Sequence, residues 1–497
     1  MFQKNHTIKL NLPGGIIPAG DLFSIITAAE NAGVKNVQFG TRQQMFLKVK
    51  DEKYKDFANA LKQANIFFES NADIHPNILS SYVTENVFQT ANWLREGVYR
   101  DVLDLFDYLP RLKINLVDHN QTFVPFFTGH LNFVASSISN YWHLHVRFPK
   151  TNQLYEWKAL VYSNNIPRLS KKIEDLIFSN KKDFYGKEFI NGETLYTMLH
   201  KAEHFVEHPI SEPLALPDFS LPYYEGFNFY GDKMWLGIYS RDEVFSLSFL
   251  KDICAICFKT KIAQLYTTPW KSLIIKGISP ADRKLWDYVL GKCRINVRHA
   301  LNELCWQTED LSIEGLDLKN YLVRRFHKDD VRTYGLCFAV KTHAKSSVFG
   351  SVIIRKQATE NANHSKSNER FSILYTKDFN PNTKEYILFR SDVEKEFLYT
   401  YLLSLCKYFY ELQSEENLIP NNAYRETNQP EEKIEESEIL IHQCIHCLTI
   451  YDDEYGDTIN DIPAGISFAS LTENYSCPTC GSSKESFIIA KRDVILS

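Results

Sequence analysis

The 497-residue chain has no apolar run long enough to cross a bilayer. Its most apolar windows, such as FVPFFTGHLNFVASSI at 123–138, are broken by Thr, Gly, His and Asn before the roughly 20 residues a membrane helix requires. The N-terminal stretch MFQKNHTIKLNLPGG has a Lys but lacks the apolar run and small-residue cleavage site of a secretory signal, so a soluble, cytoplasmic protein is expected. Positive charge is not in excess: 56 Lys and Arg face 61 Asp and Glu, and the net charge of −5 argues against a general nucleic-acid footprint. Neither a G-x-G-x-x-G turn nor a P-loop occurs, so NAD(P)H is not expected to bind and electrons would have to arrive from another protein. Cysteine is sparse, ten in all, which excludes a disulfide scaffold and fits a reducing compartment.

The composition, 44% hydrophobic, 14% aromatic and 24% charged, is that of folded protein, and the length predicts two or three domains. The sharpest break is SEENLIPNNAYRETNQPEEKIEESE, 414–438, which reads as an acidic linker or, over its Glu-rich end, a charged exposed helix. A polar tract at 356–370 separates two strand-like runs as a hairpin tip. Upstream, residues 8–50 and 234–278 share a layout of strand, turn, amphipathic helix and strand, each followed by another helix, DEKYKDFANALKQANI or SPADRKLWDYVLGK. In the first copy VQFGTRQQMFLKV reads as one strand. Two such units predict an internally duplicated α+β module.

The stretch LPGGIIPAGDLFSIITAAENAGVKNVQFGTRQQMFLKV resembles the ferredoxin-like half-domain of assimilatory nitrite and sulfite reductases, with Thr41–Gln43 as its most recognisable token. YLPRLKINL at 108–116 is similar to that family's Leu-Pro-Arg-Lys-x-Lys strand, and the resemblance covers roughly residues 5–400. It implies a siroheme and oxyanion pocket to which Arg42, Arg111 and Lys113 would contribute; otherwise these are surface cations kept by ancestry. Two departures stand out. Glu85, in TENVFQTANWL, occupies the place of a pocket cation. The family's [4Fe–4S] ligands, C-x5-C and then C-x3-C, are met by Cys305 with Leu311 and by Cys337 with Lys341. A cubane cluster takes four thiolates and two are left, so neither this cluster nor siroheme is expected. Cys254 and Cys257 fall on the apolar register of a predicted helix, and with Cys293 and Cys406 they are read as plain thiols of the fold.

The four remaining cysteines form two C-x2-C pairs, Cys444/Cys447 and Cys477/Cys480, each able to present two sulfurs from one tight turn to a tetrahedral ion. Zinc and iron both accept that geometry. The tail 439–497 resembles rubredoxin through Tyr451 and Asp452, the Gly456–Asp457 turn, Pro463, Gly465, Phe468, Tyr475 and the Cys-Pro-x-Cys-Gly run at 477–481 followed by Lys484 and Phe487. This implies one Fe(III)/Fe(II) in a four-cysteine site, with aromatic residues excluding water from the sulfurs. Leu448 departs from the Gly that rubredoxins usually carry after the first pair, which bears on the potential. Eight Asp or Glu stand against three Lys or Arg in the tail, a side-chain sum of −5, as suits steering toward a basic redox partner.

Other candidates are weaker. His200, His204 and His208 would share a face if one helix ran through LHKAEHFVEH, and His143 and His145 share one side of a strand; packing or solvation is the preferred reading of both sets. The expected organisation is α+β: half-domain 1–80, siroheme-domain-like region 81–225, half-domain 226–300, degenerate siroheme-domain-like region 301–413, linker 414–438 and rubredoxin-like domain 439–497. The expected function is electron transfer on a cofactor-depleted reductase-like body, with a reductase or ferredoxin as donor and an acceptor of nitrate/nitrite or sulfite reductase type. The alternatives are a siroheme-dependent nitrite or sulfite reductase with a fused rubredoxin donor, and a zinc-ribbon interaction protein.

Overall fold

The computed structural model describes residues 5–88, 93–187, 189–343, 348–357, 369–418, 440–446, 449–453, 456–457, 459–460 and 462–491. They divide into two compact units, Met1–Leu418 and Ile419–Ser497.

The larger unit is built twice over from the same plan. Its first half-module runs strand Asn5–Leu10, strand Ile16–Pro18, helix Ala19–Asn31, strands Asn36–Phe39 and Met45–Lys50, helix Asp51–Gln63 and strand Glu69–Ser70. Its second runs strand Lys233–Ile238, strand Phe245–Ser246, helix Leu247–Thr260, strands Gln264–Thr267 and Leu273–Ile278, and helix Arg283–Cys293. The halves exchange short strands. Ile16–Pro18 pairs with Gln264–Thr267 in the second sheet, whereas Phe245–Ser246 pairs with Asn36–Phe39 in the first. Leu22, Ile25 and Ile26 of one helix and Phe249, Leu250 and Ile253 of the other lie in one continuous core. Cys254 and Cys257 are buried in that same core. Neither half completes its sheet alone, so the two fold as one body.

Each half-module is followed by a second sheet, again duplicated. Leu79–Ser80, Ile114–Val117 and Leu131–Ala135 are parallel neighbours, and Tyr141–Arg147 follows antiparallel. In the second copy Trp306–Thr308, Phe338–Lys341 and Val352–Lys356 are parallel, with Arg370–Thr376 and Tyr386–Glu394 antiparallel beyond them. Side chains of both sheets share the largest core, which contains Trp142, Trp157 and Trp270. No described helix is long and apolar enough to cross a membrane.

Three sequence expectations change. VQFGTRQQMFLKV is a hairpin of two strands rather than one, because Gln43 takes φ +61° and the Gly40 N–H bonds the Gln44 carbonyl at 2.8 Å, closing a turn. The helix expected to carry three histidines stops at Ala202. Glu203 is extended, His204 lies in the following loop, and His208 is on the strand Glu207–Pro209 that pairs with Ala159–Tyr162. The helix Lys395–Leu418 runs past residue 414, where the linker was expected to start, and residues 419–438 lie outside the described residues.

Candidate functional site

In the smaller unit, the strand Leu440–Cys444 lies between Ile450–Tyr451 and Phe487–Lys491 in an antiparallel sheet. Beneath it Tyr451, Phe468, Leu471 and Tyr475 form a small core with Ile462 and Phe487 against it. So few apolar groups stabilise a fold weakly, and metal–sulfur bonds must supply much of the rest. Polar groups hold the framework: the Tyr475 hydroxyl donates to Asp457 at 2.9 Å, and the Tyr451 hydroxyl donates to the Ile466 carbonyl at 2.8 Å. Asp457 also accepts from Asn460 and from the Ile459 N–H; although burial opposes it, these donors hold its carboxyl below the usual range.

Cys444 ends the central strand opposite Phe487, and its N–H bonds the Thr449 carbonyl at 2.9 Å. The second knuckle is closed by the Gly481 N–H on the Cys477 carbonyl and the Cys477 N–H on the Ser482 carbonyl, both at 2.8 Å, with Gly481 at φ +71°. The two loops are joined by Thr449 donating to the Thr479 hydroxyl at 2.9 Å. The result gathers the sulfurs of Cys444, Cys477 and Cys480 within 4.8 Å of one another, the one cluster of three or more metal-ligating side chains among the described residues. Cys444 and Cys480 Sγ are 3.7 Å apart. Metal–sulfur bonds of about 2.3 Å place tetrahedral sulfurs about 3.8 Å apart, so the thiols fit a four-coordinate ion. Cys444 and Cys477 are buried and Cys480 is exposed, which leaves one sulfur at the surface as an edge for electron exchange. Cys447 and Leu448 lie outside the described residues.

The rubredoxin family model matches residues 441–487. Rubredoxin-2 of Chlorobaculum tepidum is 51% identical over 45 residues, 9% of this chain and 86% of that protein. The chain belongs to the rubredoxin family. A probable rubredoxin of Methanothermobacter thermautotrophicus is 40% identical over 55 residues, 11% of this chain and 87% of that one. A rubredoxin domain with this cysteine cluster is an iron site suited to electron transfer. For the body, the structure of the Mycobacterium tuberculosis NirA protein matches with a TM-score of 0.59 at 12% identity, covering 85% of this chain and 82% of that one. This rubredoxin is thus attached to a body of nitrite/sulfite-reductase-like fold.

Of the cations expected in the body's pocket, Arg42 and Lys113 line one cavity of about 280 Å³ together with Thr41, Asp73, Asn77, Glu309 and Asp310. Arg42 is buried and its guanidinium donates to the Asn77 and Ile114 carbonyls at 2.9 Å and to Asn115 Oδ1 at 3.1 Å. Desolvation, then Arg147, lowers its pKa to about 9. Arg111 is not brought to this cavity: its Nε pairs with Glu174 at 3.0 Å, and the guanidinium lies 4.4 Å from the Phe178 ring centroid.

The segment 305–311, strand Trp306–Thr308 and the turn after it, faces the same cavity with acid rather than sulfur. Asp310 accepts from the Thr41 N–H at 2.8 Å and from Gln44 at 3.1 Å, and Glu309 accepts from the N–H groups of Thr342 and His343. Cys305 and Cys337 are buried beside Thr333 and Ser351, and burial pushes both thiols up to about 12. With Leu311 and Lys341 at the other two positions, the residues do not fit a four-thiolate cluster. His143 and His145 are buried, with His145 lowered to about 4 by desolvation and then by His143, and 5.0 Å from Phe127. His200 stacks on Tyr196 and bonds Glu207, apart from any metal cluster among the described residues.

Proposed function

We propose that this chain is a one-electron carrier, binding a single iron through Cys444, Cys447, Cys477 and Cys480. The iron supplies an Fe(III)/Fe(II) couple. The protein supplies the sulfur cage, the aromatic packing of Tyr451, Phe468 and Tyr475 that keeps water from its inner side, and the exposed Cys480 edge. The reading rests on the 3.7 Å sulfur spacing inside a rubredoxin framework. In the same reading the body works without siroheme or a [4Fe–4S] cluster, as a docking platform. The donor is a reductase or ferredoxin, and the acceptor is an enzyme of nitrate, nitrite or sulfite reduction. The reductase-like fold of the body supports that choice.

A second reading keeps the body as a siroheme reductase fed by its own tail, drawing on the cavity that Arg42 and Lys113 share. Three of Arg42's donor contacts are already directed to protein oxygens, which favours the carrier. Metal analysis and a visible spectrum of the purified full chain decide between them. A single iron with thiolate-to-iron bands and no tetrapyrrole absorption is expected. Zinc alone, or a macrocycle that turns over nitrite or sulfite, would overturn the reading.

A further inference from the structure

Next to the Arg42 cavity, two adjoining cavities of about 600 and 110 Å³ open between the duplicated sheets. They share Arg147, at the end of Tyr141–Arg147, and Lys341, at the end of Phe338–Lys341. Arg111, Lys113 and Lys150 complete the cationic lining of the larger, and Arg355 and Lys384 that of the smaller. No Asp or Glu lines either cavity among the described residues. Of these seven cations Arg111 is paired with Glu174 at 3.0 Å, and the other six form no salt bridge among the described residues: Arg147 donates to the Thr128 carbonyl at 2.8 Å, Lys150 lies over Tyr185 and Lys384 over Phe349. This concentration occurs in a chain whose net charge is −5.

Apart from Arg111 these cations have no acid in direct contact, only the longer-range pull of Asp73 and Asp310 on Lys113 and of Glu309 on Lys341; partly buried, they repel one another and have lost hydration, so the arrangement is costly unless an anion joins it. The strain is visible in two lysines. Burial and then Arg147 push Lys384 down to about 7, and burial, Arg42 and Arg147 push Lys113 down to about 8. Lys341 carries the clearest sign of change, because an ammonium stands at a position where the reductase pattern calls for a cluster thiol.

We propose that these two cavities form a binding site for a compact polyanion, a small molecule with clustered phosphate or carboxylate oxygens, held by Arg147, Lys341 and Lys384 from both copies of the duplicated sheet. The concavity suits a small ligand rather than a protein surface, and the lining offers ammonium and guanidinium donors with no acid to compete. The site is independent of iron in the tail.

The test is calorimetric titration of the full chain with pyrophosphate and with citrate, with Lys341→Met and Lys384→Met as variants. One or both anions are expected to bind and to raise the melting temperature, and each substitution to weaken binding roughly tenfold or more, the loss of one charged hydrogen bond. Tighter pyrophosphate points to a phosphorylated ligand, and tighter citrate to a polycarboxylate. Lys150→Gln, at the exposed rim, leaves the fold intact and is expected to weaken binding by a smaller factor. The inference fails if neither anion binds, if the folded variants bind as the parent does, or if the isolated protein carries a tetrapyrrole.

Discussion

Replacing Glu243 with Gln should destabilise the body by about 3 kcal/mol or more. Glu243 is 5% exposed and serves two buried ammonium groups, Lys271 at 2.5 Å and Lys319 at 3.1 Å, while accepting from the Thr308 hydroxyl at 3.0 Å. Burial by itself would raise its pKa, but Lys319 and Lys271 outweigh it and bring the carboxyl to about 2 from the ordinary 4.5. At about 1.4 kcal/mol per pH unit, that difference corresponds to about 3 kcal/mol of stability at neutral pH. The folded pKa is the lower one, so this stability is full above pH 4.5 and is lost as pH falls toward 2. The Gln variant keeps the shape but leaves Lys319 without a carboxylate and Lys271 with only Asp310 at 4.0 Å, a change that typically costs about 3–5 kcal/mol. Urea unfolding followed by Trp fluorescence at pH 7 measures the gap between parent and variant, which should shrink by about half at pH 3 as the parent loses its ionisation advantage. A gap under about 1 kcal/mol at pH 7, or one equal at both pH values, would mean that the Glu243 charge does not stabilise the body.

Cys477→Ser should abolish stoichiometric iron by metal analysis and remove the near-UV dichroism of the aromatic cluster, since the metal bonds hold this small core together. Ser482→Ala should lower the iron midpoint potential by up to about 40 mV, because Ser482 Oγ lies 3.1 Å from Cys480 Sγ and a hydroxyl donor to a thiolate favours the electron-rich reduced state; potentiometry giving an unchanged or higher value contradicts this. Sulfate, whose charge is constant across the range, should bind the cationic cavities more weakly as pH rises from 6 to 9 and Lys384, then Lys113, lose their protons; calorimetry at each pH checks it. Gly237→Ala should cost at least about 3 kcal/mol in the same urea assay, because its Cβ would lie 1.9 Å from the Tyr224 carbonyl oxygen, a backbone atom that has no free rotation away.

The thiol cluster was legible because a C-x2-C knuckle is local: its spacing alone sets two sulfurs on one turn, and for Cys477 and Cys480 the hydrogen bond from the Gly481 N–H to the Cys477 carbonyl shows that turn. Duplication was legible for a similar reason, as the helical periodicity of Ala19–Asn31 and Leu247–Thr260 is written within each segment. The exchange of Ile16–Pro18 with Phe245–Ser246 was not, since two or three residues carry no period and their pairing partners lie more than two hundred positions away. Likewise, nothing local separates Arg111, tied to Glu174 and lining only the larger adjoining cavity, from Lys113 two residues on, which lines that cavity and the Arg42 cavity as well.

The residues alone pointed to the thiols of the tail as one cluster, and Cys444, Cys477 and Cys480 do gather, because ligand chemistry and short spacing suffice for that. Only the tertiary structure decided where the charge gathers. Arg147, Lys341 and Lys384 are unremarkable cations along the chain, and they become a field only when two sheets from separate halves bring them to one cleft. Electrostatic energy depends on distance through space, and chain separation does not report it.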